Sequence, residues 1–345
     1  MSHGGDRYRN QVRLDFSVNT NPAGVLDSVK QSLIESISKA EHYPDQEASA
    51  LRKALAGALG VSGDMLVFGN GASELLTACV RAAKPQNVLL PVPSFSGYQW
   101  ALAPEEAAVR YVEMEEGFRI TEKLLPELTE ETDMVFFTNP NNPTGRYIRH
   151  DLLEEILDTC REKNILVLLD ECFMELSDDP AGNTCVPAIG RWPNLIILRA
   201  FTKSFAIPGV RLGYMICADT RLNETVRKML PEWNLSIMAQ DAGVAALKEI
   251  GTLQAAREQI QKERTYLKEQ LEEAGMQCIP SDANFLLIQS PREDLYDKLL
   301  ERQILIRDCS DYRGLAKGYF RIAVRPEEEN EELIAAVRDI IKENA

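Results

Sequence analysis

The 345-residue sequence predicts an α/β fold with a mostly parallel, seven-stranded sheet in a large domain, followed by a smaller α+β domain. Between residues 36 and 230, short apolar runs alternate with amphipathic helical patterns, for example at 72–83 and 151–163. The runs are almost continuously apolar, which is typical of strands buried on both faces of a sheet. The seven candidate strands are 64–69, 87–91, 108–114, 133–138, 165–170, 195–200 and 213–217.

The pattern changes after Pro231. One long helical stretch is predicted from 236 to 274, and shorter helices are predicted at 292–302 and 328–343. Candidate strands lie at 284–289, 304–308 and 319–324. We expect the N-terminal segment to pack beside this second unit. The predicted domains are therefore 36–230 for the large one, and 1–35 together with 231–345 for the small one.

Composition excludes several function classes. A net charge of −15 argues against a broad nucleic-acid-binding surface. Seven scattered cysteines without a CxxC pair suggest neither a disulfide framework nor a zinc site, and three histidines argue against a metal centre. The first residues lack an apolar signal core, and no apolar run is long enough to cross a bilayer. We expect a cytoplasmic protein without nucleic-acid or membrane partners.

A glycine-rich turn follows the first of the seven strands, in FGNGASELL at 68–76. A helix that begins there would present the free N–H groups of Ala72 and Ser73 after Gly71. Together with the helix dipole, these groups make an anion site. A tight turn with a helix cap uses the same residues, so the motif alone leaves both interpretations open.

Three other strands end in residues suited to a ligand, at the edge where open α/β sheets bind one. TNPNNPTG at 138–145 predicts a rigid turn that fixes the Asn142 amide, with a cis peptide before Pro143. Asp170 ends a buried strand and requires a cation, such as a protonated pyridine nitrogen. Phe95 could stack on a flat ring. A connector turn, a helix cap and a core aromatic are the respective alternatives.

The segment AFTKSFAIPGVRLGY at 200–214 places Lys203 inside an apolar run, with Arg211 eight residues later. A desolvated ammonium is costly, so the run raises two possibilities. Either the lysine stem lies on the core while its head reaches water, or its pKa is lowered so that the amine can form a Schiff base.

Taken in order, these segments read GNGxxE, PxFxxY, NPNNPTG, DE and TKxFxxPGxRLGY. This order resembles the class I/II aminotransferase family, whose members have fold type I and use pyridoxal 5′-phosphate (PLP). The resemblance covers nearly the whole chain. Within the family, the chain looks most like threonine-phosphate decarboxylases and histidinol-phosphate aminotransferases.

The resemblance implies roles for three catalytic residues. Lys203 matches the lysine that forms a Schiff base with PLP. Asp170 matches the carboxylate that keeps the pyridine nitrogen protonated, and Asn142 matches the asparagine that bonds the 3′-oxygen of the ring.

The resemblance also implies a set of residues that contact the cofactor from its phosphate and its ring face. Arg211 matches the arginine on the phosphate, which the Gly71–Ala72–Ser73 turn also binds, and Phe95 matches the stacked aromatic. Tyr43, in EHYPDQE, resembles the tyrosine that reaches the phosphate in the neighbouring subunit, which implies a homodimer with shared active sites.

Two positions depart from the common pattern. Many members have a hydroxyl residue where this chain has Ala200, so one phosphate contact is missing and Thr202 is the candidate to replace it. Many have a tyrosine where this chain has Phe173. A phenylalanine there is what the decarboxylase pattern has.

The substrate side also resembles the decarboxylases, in HGG at 3–5, LDFSVNTNPAG at 14–24 and the segment 304–325. This likeness implies that Arg321 binds the substrate α-carboxylate. It also implies that His3 and Asn19 line a pocket for the substrate phosphate. A mobile chain end and a turn asparagine are the alternatives for these two residues.

The resemblance implies a PLP-dependent lyase or transferase that acts on a phosphorylated amino acid. The leading hypothesis is decarboxylation of O-phospho-L-threonine, giving an aminopropanol phosphate for the cobalamin side chain. The alternative is amino transfer of the histidinol-phosphate type. A non-catalytic PLP-binding sensor is a third hypothesis, against which the retained Lys203 and the acidic charge argue.

Overall fold

Residues 4–343 are described by a computed structural model, and they contain the predicted seven-stranded sheet. In chain order the strands are β1 Leu14–Asp15, β2 Leu66–Gly69, β3 Asn87–Val92, β4 Ala108–Glu113, β5 Met134–Thr138, β6 Leu166–Asp170, β7 Leu195–Ala200, β8 Gly213–Ile216, β9 Gln277–Cys278, β10 Phe285–Gln289, β11 Ile304–Leu305, β12 Arg307–Asp308 and β13 Tyr319–Ala323. The α-helices are α1 Asp27–Ser36, α2 Ser49–Leu59, α3 Ala72–Ala83, α4 Gly97–Leu102, α5 His150–Glu162, α6 Pro180–Asn183, α7 Phe201–Ser204, α8 Thr220–Lys228, α9 Ile237–Lys248, α10 Thr252–Glu273, α11 Leu295–Glu301 and α12 Glu327–Lys342. Short 3₁₀ helices lie at Ile37–Lys39, Gly63–Met65, Ala103–Glu105, Glu122–Glu127, Met174–Leu176, Val186–Arg191 and Pro208–Val210.

The large sheet has the strand order β2-β8-β7-β6-β5-β3-β4. β8 is antiparallel to both of its neighbours, whereas the other adjacent pairs are parallel. The prediction of a mostly parallel, seven-stranded sheet is therefore confirmed. Because β2, β5, β6 and β7 run in the same direction, their carboxyl ends meet at one edge.

The central strands are buried on both faces, which explains their continuous apolar runs. Phe137 and Leu169 belong to one apolar cluster, whereas their chain neighbours Phe136 and Leu168 belong to the cluster on the opposite face. Burying such a side chain stabilises the fold by roughly 2 kcal/mol. The two clusters hold the strand ends, and with them the polar residues that follow each strand, in fixed positions.

The smaller sheet is antiparallel, with the order β12-β13-β10-β9, and helices α10 and α12 pack against each other beside it. β1 pairs with β11, and the Ala323 N–H donates to the Phe16 carbonyl. The N-terminal segment therefore lies against this part of the chain. The boundaries 36–230, 1–35 and 231–345 stay a prediction.

The single helical stretch predicted for 236–274 is wrong, because the structure has two helices, α9 and α10. They are separated at Glu249–Gly251, where the Thr252 N–H bonds back to the Glu249 carbonyl. Glycine is among the weakest helix formers, so Gly251 favours the break. Among residues 4–343, no helix has both the length and the apolar composition needed to cross a membrane.

Candidate active site

A cavity of about 420 Å³ lies at the edge of the large sheet where β2, β5, β6 and β7 end. Eleven of the fourteen predicted site residues line it, namely Asn19, Ala72, Ser73, Phe95, Asn142, Asp170, Phe173, Thr202, Lys203, Arg211 and Arg321. Gly71 lies directly behind this lining, next to Ala72. The other two are Tyr43, which does not line the cavity, and His3, which lies outside the described residues.

Lys203 is held by its backbone on the short helix α7, directly after β7. Its carbonyl accepts a hydrogen bond from the Asn21 N–H at 2.9 Å, and the Asn21 side chain donates to the Ser204 carbonyl at 2.8 Å. Burial, followed by the charge of Arg321, lowers the pKa of the Lys203 amine to about 8. Lys203 also lines the cavity, so its amine has the space that a Schiff base requires under the second interpretation of this lysine.

Asp170 ends β6, and both of its oxygens accept hydrogen bonds. The Cys172 N–H donates to Oδ1 at 3.0 Å, and the Tyr98 hydroxyl donates to Oδ2 at 2.9 Å. Burial raises the pKa of the Asp170 carboxyl. A cation that enters the cavity beside this carboxyl would offset that cost, as a protonated ring nitrogen would.

An anion cradle forms where β2 turns into α3. Gly71 has φ +85°, and a Cβ there would lie 2.4 Å from Nη2 of Arg211. A Cβ on Gly213 would likewise lie 2.4 Å from the Ala72 nitrogen. The first N–H groups of a helix have no intrahelical acceptor, so Ala72 and Ser73 present donors beside the guanidinium. Both glycines are needed for this close approach, which fits a phosphate.

Arg321 and Asn142 are in direct contact at the wall of the cavity. Nη1 of Arg321 donates to Oδ1 of Asn142, and Nη2 donates to the Ser17 carbonyl at 2.9 Å. Because Oδ1 is occupied, Asn142 has its amide nitrogen to offer as a donor. Among the described residues, Nε of Arg321 is buried without a hydrogen-bond partner, as is Oδ1 of Asn19. The peptide before Pro143 is cis, as predicted.

Two aromatic residues close the apolar parts of the cavity. Phe95 lies edge-on to Tyr98, with ring centroids 5.6 Å apart. Phe173 packs against Phe285 at 5.1 Å, and Nζ of Lys203 lies 5.9 Å from the Phe173 ring centroid. Phe173 therefore offers an apolar face near the lysine, and no hydroxyl.

Arg307 is a cavity residue that the sequence analysis missed. Its guanidinium is buried, its Nη2 bonds both oxygens of Asp311 at 2.8 and 3.0 Å, and it lies 5.3 Å from the Tyr312 ring centroid. Arg307 is directly opposite Arg321 in the β12–β13 ladder. The sequence signal that could have identified Arg307 is an arginine in each of two buried strands, at 307 and 321. Like charges in that position are destabilising unless an anion binds between them.

The N-terminal segment forms part of the cavity wall next to these arginines. Gly4 and Ser17 line the cavity, the Gly5 N–H donates to Ser17 Oγ at 2.7 Å, and that hydroxyl donates to Asp15 at 2.6 Å. A Cβ on Gly4 would lie 2.3 Å from the Ser17 carbonyl oxygen, which also accepts from Arg321. Glycine is therefore required where this segment approaches the arginine.

Tyr43 lies away from the cavity of its own chain. It is 80% exposed, and its ring lies 4.9 Å from the Trp233 ring. Its predicted role concerns a neighbouring subunit and stays a prediction. Among residues 4–343, no group of three or more metal-binding side chains could hold a metal ion.

The residues in the cavity fit PLP, the cofactor that the resemblance implied. The cradle provides donors for a phosphate, Asp170 is a carboxyl of raised pKa that a neighbouring cation would stabilise, and Lys203 is an amine of lowered pKa. Asn142 contributes a donor between them. Together these groups suit a flat ring that carries a phosphate and an aldehyde.

Comparison with known proteins identifies a family. The model of aminotransferase class I and II matches residues 12–337. Threonine-phosphate decarboxylase of Salmonella typhimurium is 35% identical over 333 residues, or 95% of this chain and 91% of that protein. Histidinol-phosphate aminotransferase 2 of Archaeoglobus fulgidus is 31% identical over 95% of this chain and 93% of that protein. The structure of histidinol-phosphate aminotransferase from Clostridium acetobutylicum matches with a TM-score of 0.90 and 30% identity, covering 96% of this chain and 100% of that chain.

Proposed function

This chain belongs to the class I and II aminotransferase family and is a PLP-dependent enzyme, and from that premise we propose that it decarboxylates O-phospho-L-threonine. The observation that carries the proposal is the pair of buried arginines, Arg307 and Arg321, opposite each other on the substrate side of the cavity. Two guanidinium groups match a substrate with two anionic ends. The 35% identity to a threonine-phosphate decarboxylase supports the same substrate class.

When bound, PLP supplies an electron sink for the bond that breaks next to the substrate nitrogen. Lys203 would hold the cofactor covalently, since a pKa of about 8 makes its neutral amine accessible for that bond. Asp170 would bind the ring nitrogen, and Asn142 would donate to the ring oxygen. Arg211, with the N–H groups of Ala72 and Ser73, would bind the phosphate.

Reaction type depends on which substrate bond is held perpendicular to the ring. Arg321 would bind the α-carboxylate, because Asn142 and Ser17 use only two of its five N–H donors and hold the guanidinium in place, while the buried Nε has no partner among the described residues. Arg307 binds the substrate phosphate from the neighbouring strand. With both ends of the substrate fixed, these two arginines would set the orientation of the α-carboxylate, and that orientation decides between loss of carbon dioxide and transfer of the amino group.

Amino transfer of the histidinol-phosphate type, from histidinol phosphate to 2-oxoglutarate or in the reverse direction, is the second candidate. The 31% and 30% identities to histidinol-phosphate aminotransferases support it, since such substrates also carry a phosphate. Phe173 favours the decarboxylase, because the decarboxylase pattern has a phenylalanine there. Decarboxylation of O-phospho-L-threonine would give an aminopropanol phosphate, which is suited to the cobalamin side chain. We place this enzyme in the cytoplasm.

The test of the proposal is a substrate panel with the purified holoenzyme. O-phospho-L-threonine should release carbon dioxide over many turnovers, and unphosphorylated threonine should react at least about 100-fold more slowly, because remote binding energy supports the orientation. Histidinol phosphate with 2-oxoglutarate is the comparison reaction. Formation of glutamate from that pair, without carbon dioxide from phosphothreonine, would move the enzyme to the second candidate.

Replacing Arg307 should reduce the preference for phosphorylated substrates. In Arg307→Gln, we expect kcat/KM for phosphothreonine to fall about 100-fold, while the slow reaction of threonine changes little, because a charge-assisted hydrogen bond to phosphate is lost. Arg338→Gln is the matched control, because Arg338 is a half-buried arginine of α12 that pairs with Glu273 outside the cavity. Equal losses for both substrates would show that Arg307 does not contact the phosphate.

We also propose a homodimer in which Tyr43 completes the site of the partner subunit. Mixing Lys203→Ala chains with Tyr43→Ala chains should restore up to about one quarter of the activity, because half of the dimers would be mixed and each would contain one complete site. Lys203→Ala mixed with Arg321→Gln is the control, since both residues belong to the same cavity and no complete site forms. If the Lys203→Ala and Tyr43→Ala chains form mixed dimers but recover no activity, the proposal of shared sites is wrong.

A further inference from the structure

Tyr98 lies behind the candidate active site and is fully buried near the start of α4. Its ring stacks on Phe136 at 5.3 Å, with an angle of 29° between the ring planes. The edge of Phe95 meets it at 5.6 Å and 87°. Gly97 permits this arrangement, since a Cβ there would lie 2.2 Å from the Phe95 ring. Tyr98 therefore fixes where the Phe95 ring can lie.

The Tyr98 hydroxyl connects two other strand ends. It lies 2.9 Å from Oδ2 of Asp170 and 2.6 Å from Oγ1 of Thr138. Burial, followed by the charge of Asp170, raises the pKa of Tyr98 well above its usual value, so the hydroxyl stays protonated. An ionised carboxylate can only accept, so Tyr98 donates to Asp170 and Thr138 donates to Tyr98.

We propose that Tyr98 is the positioning residue for the cofactor ring: its hydroxyl keeps Asp170 ionised and oriented, and its own ring holds Phe95 in place. One side chain would then position both groups that contact the cofactor ring, Asp170 at the ring nitrogen and Phe95 at the ring face. This inference rests on the proposed roles of Asp170 and Phe95 toward PLP.

The Tyr98 hydroxyl is one of the groups that determine the pKa of Asp170. Burial raises the pKa of Asp170, whereas Cys172, Tyr98 and the charge of Lys203 act in the opposite direction. Without the Tyr98 hydroxyl, the pKa of Asp170 rises further, and a larger fraction of the carboxyl is neutral at a given pH. Because a neutral carboxyl does not stabilise a protonated ring nitrogen, the defect should grow as the pH falls.

The experiment measures equilibrium binding of PLP and the pH dependence of the bound cofactor's visible absorbance. Tyr98→Phe keeps the ring packing and removes only the hydroxyl, and we expect PLP to bind about tenfold more weakly. The loss should be larger at pH 6 than at pH 8.5. Tyr147→Phe is the control, because Tyr147 also donates from a partly buried hydroxyl, to Ser177, outside the cavity.

A double-mutant cycle separates this inference from the assignment of Asp170. Asp170→Asn should weaken PLP binding on its own, and adding Tyr98→Phe should weaken it little further, since the hydroxyl acts through the carboxylate. Additive losses would overturn the inference. If Asp170→Asn alone binds PLP like the wild type, then the ring assignment is wrong, and the inference falls with it.

Thr138→Val provides a second variant should Tyr98→Phe fail to fold. Valine has the shape of threonine without its hydroxyl, so Tyr98 loses its donor while its ring and its bond to Asp170 remain. A smaller loss of PLP affinity with the same pH trend is the expected result. Wild-type affinity and absorbance at every pH in Thr138→Val, or in a folded Tyr98→Phe, would contradict the proposal.

Discussion

Replacing Lys203 by alanine should abolish the covalent attachment of PLP and lower turnover by about 10³-fold or more. Lys203 is the amine of lowered pKa in the cavity, and Asn21 holds the backbone of α7 by donating to the carbonyls of Lys203 and Ser204. Without it, neither the bond to the cofactor nor the proton transfers of a positioned amine are possible. Borohydride reduction followed by peptide mapping measures the attachment directly.

The matched control for Lys203 is Lys268→Ala, since Lys268 is an exposed lysine of α10 paired with Glu272. That variant should retain both its colour with PLP and its activity. If Lys203→Ala still carries borohydride-stable PLP at one equivalent per chain, another lysine is the attachment site. The assignment of Lys203 would then be wrong, while the cofactor itself would stand.

Replacing Arg321 should produce the second large loss, through substrate binding. We expect Arg321→Met to lower kcat/KM roughly 100-fold, because it removes the guanidinium proposed to bind the substrate carboxylate and leaves the Ser17 carbonyl without its donor. Arg321→Lys should lose somewhat less, since it keeps the charge without the planar fork. Steady-state kinetics with both variants measures the difference.

Arg321 also acts on Lys203, which gives a second measurement on the same variant. Because burial and Arg321 together lower the pKa of Lys203 to about 8, removing the guanidinium should raise that pKa. Capture of PLP by the cofactor-free protein requires the neutral amine, so its rate should increase with pH around a midpoint near 8 in the wild type. The midpoint should lie at higher pH in Arg321→Met, and an unchanged midpoint would contradict the coupling.

Several features of the fold and the site could be predicted because they leave a pattern in the local sequence. The two-sided burial of β5 and β6 appears in the sequence as apolar runs, and the polar residue that ends a strand, such as Asp170, marks the ligand edge. Lys203 was singled out because an amine in an apolar run requires an explanation, and its predicted role came from the family resemblance. The apolar pattern and the cost of burying a charge are both properties of the local sequence, so they indicate these residues directly.

Other features depend on pairing between distant segments, which no local pattern contains. Arg307 matters because β12 lies beside β13 and puts it opposite Arg321. Tyr98 matters because its hydroxyl meets Asp170 and Thr138, two strand ends far away in the chain. Tyr43 depends on a second subunit. The break at Gly251 was missed because the helical pattern continues across it.

The fate of two labelled atoms in O-phospho-L-threonine tests the central claim most directly. The substrate carries ¹³C in its carboxyl group and ¹⁵N in its amino group, and NMR follows both during turnover by the holoenzyme. Decarboxylation predicts that ¹³C leaves as carbon dioxide and bicarbonate, while ¹⁵N stays on the three-carbon phosphate product. A ¹³C label that remains in a keto acid, with ¹⁵N passed to 2-oxoglutarate, would contradict the account.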